Sequence, residues 1–188
     1  MGRWEPDSQG RLVEAAIALF DEFGFEQTTV ADIAERAGLT ERTFFRHFSD
    51  KREVLFFGAS ALQELLVDTT VNAPAVATPI VAVTLALEAA GDLFTERRDF
   101  SLRRQRIISS STELQERELI KLASLASSLG AALRQRGVPD PTAGLTGEIA
   151  IAVFKTAFER WVTESRPPGL AQVIRASMRQ LREVTASA

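Results

Sequence analysis

Hydrophobic residues recur along the chain at spacings of three and four. Within residues 8–23 the apolar positions fall on one helical face: Leu12, Ala15, Ala16, Leu19, Phe20 and Phe23. This spacing is typical of an amphipathic α-helix. The same period returns throughout the chain, and no stretch alternates with period two for long enough to predict a β-strand. The pattern therefore predicts an all-α fold of about nine helices.

Glycines, prolines and capping residues separate the predicted helices. Gly24 suits a left-handed helix end, Thr29 with Asp32 suits the start of a second helix, and Thr40 suits the start of a third. Further helices are expected over about 50–68, 79–96, 100–109, 111–137, 143–164 and 170–184. We expect two domains, residues 1–55 and 56–188, with a three-helix N-terminal domain and a helical C-terminal domain.

Composition restricts the chemistry that the chain can perform. It has no Cys and one His, which argues against disulfides, a thiolate nucleophile and a His-based metal cluster. We find no spacing typical of a nucleophile with its base, of paired catalytic carboxylates or of a phosphate-binding loop. We therefore expect no enzyme activity, no metal and no cofactor.

Two segments bear on location. The N-terminal "MGRWEPDSQG" is polar and lacks the apolar region of a secretory signal. The most apolar run, "APAVATPIVAVTLALEAAG", contains two prolines and reads as a loop followed by a core helix. We expect a cytoplasmic protein that does not contact a membrane.

Residues 34–51, "AERAGLTERTFFRHFSDK", join two short helices through a turn with Gly38. This arrangement is typical of a helix-turn-helix, whose second helix can enter the DNA major groove. Phe44 and Phe48 would face the core, and the opposite face would present Thr40, Glu41, Arg42, Thr43, Phe45 and Arg46. Net charge opposes this interpretation, because residues 1–55 carry 7 Lys/Arg against 11 Asp/Glu. A DNA-reading corner and a purely structural one both remain open from spacing alone.

The segment "TTVADIAERAGLTERTFFRHFSDKREVL" (residues 28–55) resembles the DNA-binding region of TetR-family, or tetracycline-repressor-like, regulators. The resemblance rests on a Thr pair, I-A-x-x-A-G-[VL]-[ST], x-x-T-[LF]-[YF]-x-H-F and a Lys three residues later. It implies a helix-turn-helix over Thr29–Phe48. It also implies that the following side chains face phosphate: Thr29, Thr40, Thr43, His47 and Lys51.

The same resemblance implies that Glu41, Arg42 and Arg46 face base edges or nearby backbone. The family commonly has Tyr where this chain has Phe45, so any hydrogen bond from that hydroxyl to phosphate is absent. We predict that Arg42 compensates and is a main determinant of specificity. His47 could instead be a half-buried spacer.

The predicted helix over 143–164 is apolar on all sides, which requires burial against more than one neighbour. The resemblance implies that the last two helices pair across a two-fold axis, giving a homodimer that binds a palindromic double-stranded operator. The candidate dimer residues are Ile149, Val153, Ala157, Val173, Ile174 and Leu181.

The resemblance also implies a pocket for an unidentified small-molecule effector in the C-terminal domain. Candidate lining residues are Phe94, Phe100, Leu122, Phe154, Phe158 and Trp161, each of which could be plain core instead. Arg103 and Arg104 belong to an arginine cluster at 97–106. That cluster could bind an anionic effector, meet nucleic acid, or bridge to acids such as Glu14 and Asp21.

The chain is thus expected to be a sequence-specific transcriptional regulator that its effector releases from DNA. Repression is expected because it is the usual mode of action in the family. The alternative is a helical ligand-binding or scaffold module without sequence-specific DNA binding, which the acidic net charge of −3 favours. The operator, the regulated genes and the effector cannot be deduced from these residues.

Overall fold

The structure is a computed structural model that describes residues 7–186, and within that range it contains nine α-helices and no β-strand. The helices are α1 (Ser8–Phe23), α2 (Val30–Arg36), α3 (Glu41–His47), α4 (Ala59–Val71), α5 (Pro79–Thr95), α6 (Arg98–Ser109), α7 (Thr112–Gln135), α8 (Asp140–Thr163) and α9 (Leu170–Ala186). The predicted all-α class is confirmed.

The chain divides into two compact units. The first unit joins the N-terminal segment through Gly58 to residues 103–118, and the second unit comprises residues 59–102 and the chain from Leu119 onward. Helices α6 and α7 therefore each contribute to both units. The sequence-based boundary at residues 55 and 56 lies three residues before the observed one, and that division did not include residues 103–118 in the first unit.

The predicted helix over 50–68 is wrong at its start. Residues Glu53–Phe56 form a short 3₁₀ turn, and α4 begins only at Ala59. The Asp50 carboxylate accepts hydrogen bonds from the backbone N–H groups of Arg52 (2.8 Å) and Glu53 (3.3 Å) and so caps the turn. Gly58 then adopts φ +87°, a left-handed conformation that a helix cannot continue through.

The core of the first unit forms where α1 packs against α2, α3 and the 3₁₀ turn. The apolar stripe predicted for α1 is largely buried, with Leu12 and Ala16 fully so, although its last member, Phe23, is exposed. Ile33 of α2, Phe44 of α3 and Val54 of the 3₁₀ turn are also fully buried. The predicted caps of this unit are confirmed, because Gly24 has φ +84° and the Thr29 and Thr40 side chains accept bonds from the N–H groups of Asp32 and Thr43.

The second unit is built around α5, which packs against α4, α8 and α9. Two glycines allow close helix approach. A Cβ at Gly91 of α5 would lie 2.6 Å from the Ala171 nitrogen of α9, and a Cβ at Gly147 of α8 would overlap the Ala126 carbonyl oxygen of α7. At these two glycines the backbones of neighbouring helices therefore pack directly against each other, with no space for a side chain between them.

Among the described residues, one stretch, Glu53–Val71, meets the length and composition criteria for crossing a membrane, and 33% of it is buried within the protein. Gly58 interrupts the stretch. Val54 and Leu55 before the break belong to the buried core of the first unit, whereas Leu66 after it is buried in the core of the second. The apolar residues before Gly58 therefore belong to the core of the first unit, and those after it contribute to the core of the second.

Candidate nucleic-acid interface

Helices α2 and α3 are joined by the turn at residues 37–40. Gly38 has φ +65°, and the Leu39 N–H donates to the Ala34 carbonyl over 2.8 Å. The Arg11 guanidinium of α1 also donates to the Ala37 carbonyl. The turn between α2 and α3 is therefore held by one backbone hydrogen bond and by one from the Arg11 side chain.

The inner face of α3 is anchored by aromatic packing. Phe44 is fully buried and Phe48 nearly so, and their ring centroids are 5.5 Å apart. Phe48 also makes an edge contact with Phe57, at 6.4 Å between ring centroids. These contacts hold α3 from behind, which leaves its other face free, and they confirm the predicted core role of both residues.

The outer face of α3 is exposed and mixed in character. Thr40, Glu41, Arg42 and Arg46 are exposed, and Phe45 keeps 54% of its surface accessible. No carboxylate within the described residues forms a salt bridge with Arg42 or Arg46. This face therefore presents two guanidinium groups and an aromatic ring, which suit contacts to guanine, phosphate and the thymine methyl group.

The side chains that the resemblance predicts to face phosphate lie in different environments. Thr29 is exposed, and its side chain and backbone N–H are both bonded to Asp32 in a capping box. These bonds lower the pKa of Asp32 from its ordinary value. Thr40 and Thr43 hydroxyls lie 3.1 Å apart at the start of α3. The Thr29 and Thr40 hydroxyls therefore cap α2 and α3 in the absence of DNA.

His47 and Lys51 are half-buried rather than exposed. The His47 Nε2 lies 2.9 Å from the Ser8 Oγ, which links the end of α3 to the start of α1. The Lys51 ammonium donates to the carbonyls of Phe25 (2.8 Å) and Thr28 (3.1 Å). Both side chains thus have partners inside the first unit.

Residues 103–118 add a set of ion pairs to the first unit that sequence reasoning largely missed. Arg103 pairs with Asp21 over 2.5 Å, and Arg104 pairs with Glu118 over 3.0 Å. Two further pairs join this segment to the stretch after α3, Arg52 with Glu113 and Arg117 with Glu53. The arginine cluster was a visible signal, but its partners lie up to 82 residues away.

The surroundings of Arg103 and Arg104 bear on the bridging interpretation. Arg104 is 19% exposed, donates also to the Leu55 carbonyl, and lies 5.2 Å from the centre of the Phe56 ring. Burial lowers the pKa of its guanidinium, and the Glu118 carboxylate opposes that shift. Arg103 bridges to Asp21, one of the acids named for that interpretation, and both arginines lie in the first unit, whereas the other candidate effector residues lie in the second. Effector binding by the two arginines stays a prediction.

In the second unit, four of the predicted effector-lining residues form one aromatic cluster. Phe94 of α5 contacts Phe154 and Phe158 of α8 at 6.1 and 5.6 Å between ring centroids, and Phe158 contacts Trp161 at 5.8 Å. Arg98 donates to the carbonyls of Trp161 and Val162 at the end of α8. Leu122 and Phe100 are half-buried, and Leu122 packs against the same core.

The predicted dimer residues are mostly interior to the single chain. Val153, Ala157, Val173 and Ile174 belong to the buried core of the second unit, whereas Ile149 and Leu181 are half-buried. The reason is that α8 and α9 pack on each other and on α5 through these positions. The outward face of α8 instead carries Leu145 (63% exposed), Ile149, Ala152 and Thr156.

Two family models match the chain. The one described as "Bacterial regulatory proteins, tetR family" matches residues 12–56, which contain α2, α3 and their turn. The one described as "MftR C-terminal domain" matches residues 77–186, more than half of the chain.

Individual proteins and structures agree with these matches. The chain is 38% identical over 82 residues to the HTH-type transcriptional regulator TcmR of Streptomyces glaucescens, covering 44% of this chain and 36% of that protein. It is 25% identical over 173 residues to the transcriptional regulator MftR of Mycobacterium tuberculosis, covering 87% and 84%. The crystal structure of Thermus thermophilus FadR, a TetR-family transcriptional repressor in complex with lauroyl-CoA, superposes with a TM-score of 0.58 at 23% identity, covering 93% of each chain.

Proposed function

The chain belongs to the TetR family of bacterial transcriptional regulators, and we propose that it is a cytoplasmic homodimeric repressor that reads a palindromic operator through α3. The observation that carries this proposal is the two-sided character of α3. Phe44 is fully buried behind it, while Arg42, Phe45 and Arg46 stand exposed in front. A helix fixed from behind in this way can enter the major groove and present its guanidinium groups to base edges.

Selection of random duplex DNA by the purified protein, at near-physiological salt and with non-specific competitor, tests the proposal. A two-fold palindrome with half-sites about one helical turn apart is expected, because a symmetric dimer presents two copies of α3. If folded, dimeric protein enriches no sequence, the scaffold alternative is favoured.

We expect Arg42 to read a base directly. Arg42→Ala should cost about 1–3 kcal/mol on the selected operator and relax the preference at one base pair per half-site. The control is Arg36→Ala on α2, since Arg36 pairs with Glu22 over 2.9 Å. An equal loss of affinity on all single-base operator variants would make Arg42 a phosphate contact instead.

The proposed dimer seam is the outward face of α8. Leu145, Ile149, Ala152 and Thr156 recur at spacings of four, three and four, which is the a/d pattern of helices that pack side by side. Ala152 lies near the middle of this seam and is exposed in the single chain. Such a surface is suited to a second copy of the same helix across a two-fold axis.

A charge at the seam tests the dimer. Ala152→Arg should give a monomer in sedimentation velocity at micromolar concentration, because it places an unpaired charge at the centre of the interface. Ala131→Arg on α7 is the matched control, since Ala131 is also an exposed helical alanine. Dimers in both variants would place the interface elsewhere, and a monomeric wild-type protein would contradict the dimer itself.

We further propose that an effector with a large apolar portion binds at the aromatic cluster formed by Phe94, Phe154, Phe158 and Trp161. The support is its composition of four aromatic side chains, of which Phe94 is half-buried. FadR, whose structure contains lauroyl-CoA, suggests acyl-CoA as the first class to examine. Because α6 and α7 each contribute to both units, they are the segments through which binding would alter the first unit.

The effector is tested by operator release and by tryptophan emission in parallel. The chain has two tryptophans, Trp4 and Trp161, so Trp4→Phe leaves Trp161 as the only reporter. A ligand that lowers operator binding, measured by fluorescence anisotropy, should change Trp161 emission over the same concentration range. Lauroyl-CoA, laurate and 1-dodecanol form a probe set with one chain length and different head groups. Release without any change in Trp161 emission would place the site away from the cluster.

A further inference from the structure

Arg98 is the first residue of α6, and its guanidinium caps the last turn of α8. Its Nε donates to the carbonyl of Trp161 (3.3 Å), and its Nη2 donates to those of Val162 (3.2 Å) and Glu164. Carbonyls at the end of an α-helix lack donors within the helix, so a side chain or solvent has to supply them. The three bonds hold the guanidinium in one orientation.

The same guanidinium lies beside the aromatic cluster proposed above as the effector site. Its central carbon is 5.9 Å from the centre of the Trp161 ring. Phe94, another member of the cluster, lies four residues before Arg98 in the chain. Trp161 is buried, whereas Phe94 and Arg98 are half-buried. A ligand in contact with Phe94 and Trp161 therefore lies close to a positive charge.

The described part of the chain neutralises the charge of Arg98 only in part. Within residues 7–186, no carboxylate forms a salt bridge with Arg98, and its Nη1 makes no hydrogen bond. The Glu164 carboxylate pairs with Arg160 instead, over 2.6 Å. The C-terminal end of a helix carries about half a negative charge, so roughly half a positive charge is left beside the apolar cluster. Such surroundings favour an anionic partner.

Arg136 of the same unit shows which part of this arrangement is structural. Its guanidinium donates to three carbonyls at the end of α4 and just after it, those of Val71, Ala73 and Pro74. Among the described residues, it has no carboxylate partner and no cation–π contact. Capping alone therefore accounts for Arg136, and the position beside an aromatic cluster distinguishes Arg98.

We propose that Arg98 determines the head group of the effector: its Nη1 binds an acidic group, a carboxylate or a phosphate, of a ligand whose apolar portion contacts the aromatic cluster. The proposal rests on the effector site proposed above and names the chemical class of its ligand, an amphiphile with an anionic head. Because three carbonyls already hold the guanidinium, it loses little side-chain freedom when it donates a charge-assisted hydrogen bond to the ligand.

Affinities for laurate, dodecyl phosphate and 1-dodecanol test this role, since the three probes share one chain length and only the first two are anionic. Isothermal titration calorimetry measures their binding without DNA and without a reporter residue. Wild-type protein should bind at least one anionic probe about tenfold more tightly than the alcohol, as expected for one charge-assisted hydrogen bond. The preferred anionic probe distinguishes a carboxylate from a phosphate. Arg98→Met should abolish the preference and leave the affinity for the alcohol nearly unchanged.

Arg136→Met is the matched control. It removes a capping guanidinium that makes no aromatic contact within the described residues, so the preference for the anionic probe should persist. If Arg98→Met does not reach wild-type helicity in circular dichroism, Arg98→Gln replaces it, because Gln keeps N–H donors for the helix end without the charge.

The outcomes separate this role from the effector site itself. Equal losses for the anionic probes and the alcohol in the Arg98 variant would make Arg98 a structural cap and overturn the proposal, as would an unchanged preference. If wild-type protein binds the alcohol and the anionic probes equally well, only the role of Arg98 fails. If it binds none of them, the effector site proposed above fails as well.

Discussion

Different interactions stabilise the interior of each of the two units of this protein. In the first unit, short helices depend on side-chain caps at Thr29 and Thr40 and on ion pairs such as Arg103 with Asp21 and Arg104 with Glu118. In the second unit, long helices pack through a continuous apolar core. The contrast follows from helix length, because helices of seven residues are too short to be stable without capping and tertiary contacts.

The difference has a functional meaning. A DNA-reading helix must leave one face in water, so only part of its surface can contribute to burial, and polar contacts hold its neighbours in place. The second unit, for which we propose an apolar effector, needs an apolar interior instead. Four experiments test this contrast, and they are ordered here from the largest expected effect to the smallest.

Leu87→Ala tests how far the second unit depends on packing. Leu87 of α5 is fully buried, so its truncation should lower the free energy of unfolding by about 2–5 kcal/mol. Leu85→Ala is the control, because Leu85 lies on the same helix and is 38% exposed. Urea unfolding followed by helical circular dichroism measures both. Equal costs at the two positions would mean that packing does not dominate this unit.

Arg104→Met tests how far the first unit depends on ion pairs. The change leaves the Glu118 carboxylate and the Leu55 carbonyl without their guanidinium donor. A loss of about 2–3 kcal/mol is expected, which is below the usual range for a buried pair because both side chains remain about one-fifth exposed. Arg106→Met on the same helix removes an exposed arginine and should change stability by less than about 0.5 kcal/mol. Similar effects of the two variants in urea unfolding would contradict the contrast.

Gly147→Ala and Gly144→Ala on α8 should have opposite signs. A Cβ at Gly147 overlaps the Ala126 carbonyl oxygen, so this variant should lose about 1–3 kcal/mol. A Cβ at Gly144 has an arginine side-chain tip 3.9 Å away as its nearest neighbour, and alanine there should gain about 0.5–1 kcal/mol from helix propensity. The thermal midpoints of the two variants check the signs, and a stabilised Gly147→Ala protein would show that α7 and α8 can separate at little cost.

The smallest effect is the pH dependence of the α2 cap. Hydrogen bonds from Thr29 lower the pKa of Asp32 below its ordinary value of 3.8. A carboxyl whose pKa is lower in the folded state stabilises the fold above its unfolded pKa, and this contribution is lost as pH falls through the folded pKa. Acid unfolding below about pH 4 should therefore be less steep in Asp32→Asn and in Thr29→Val than in wild-type protein. An unchanged profile in both variants would show that the α2 cap does not contribute to the pH dependence of stability.

Local rules predicted much of the first unit. The caps at Thr29 and Thr40 and the helix end at Gly24 depend on residues within four positions of one another, and each was confirmed. The core positions Phe44 and Phe48 followed from their one-turn spacing and were confirmed as well. The DNA contacts of the outer α3 face stay predictions, since they depend on a partner molecule.

The errors arose where distant residues decide the outcome. Helical periodicity showed that α8 is buried on several sides, but it could not show that Val153 and Ala157 face the chain's own α5 and α9 side rather than a second copy. The partners of Arg103 and Arg104 were ambiguous for the same reason. The phosphate contact expected of Lys51 stays a prediction, but its three carbonyl partners within the single chain, which lie more than 20 residues earlier, could not be read from the sequence.

The discontinuous first unit has a consequence for synthesis of the protein. Residues through Gly58 emerge from the ribosome well before residues 103–118, which complete the unit. At about 5–20 residues per second, synthesis of residues 59–118 delays completion of the unit by about 3–12 s. During that interval the nascent part of the first unit lacks Arg103 and Arg117, which later pair with Asp21 of α1 and Glu53 of the 3₁₀ turn. A nascent chain stalled before Arg103 should therefore resist proteolysis less in its helix-turn-helix than one released after Glu118.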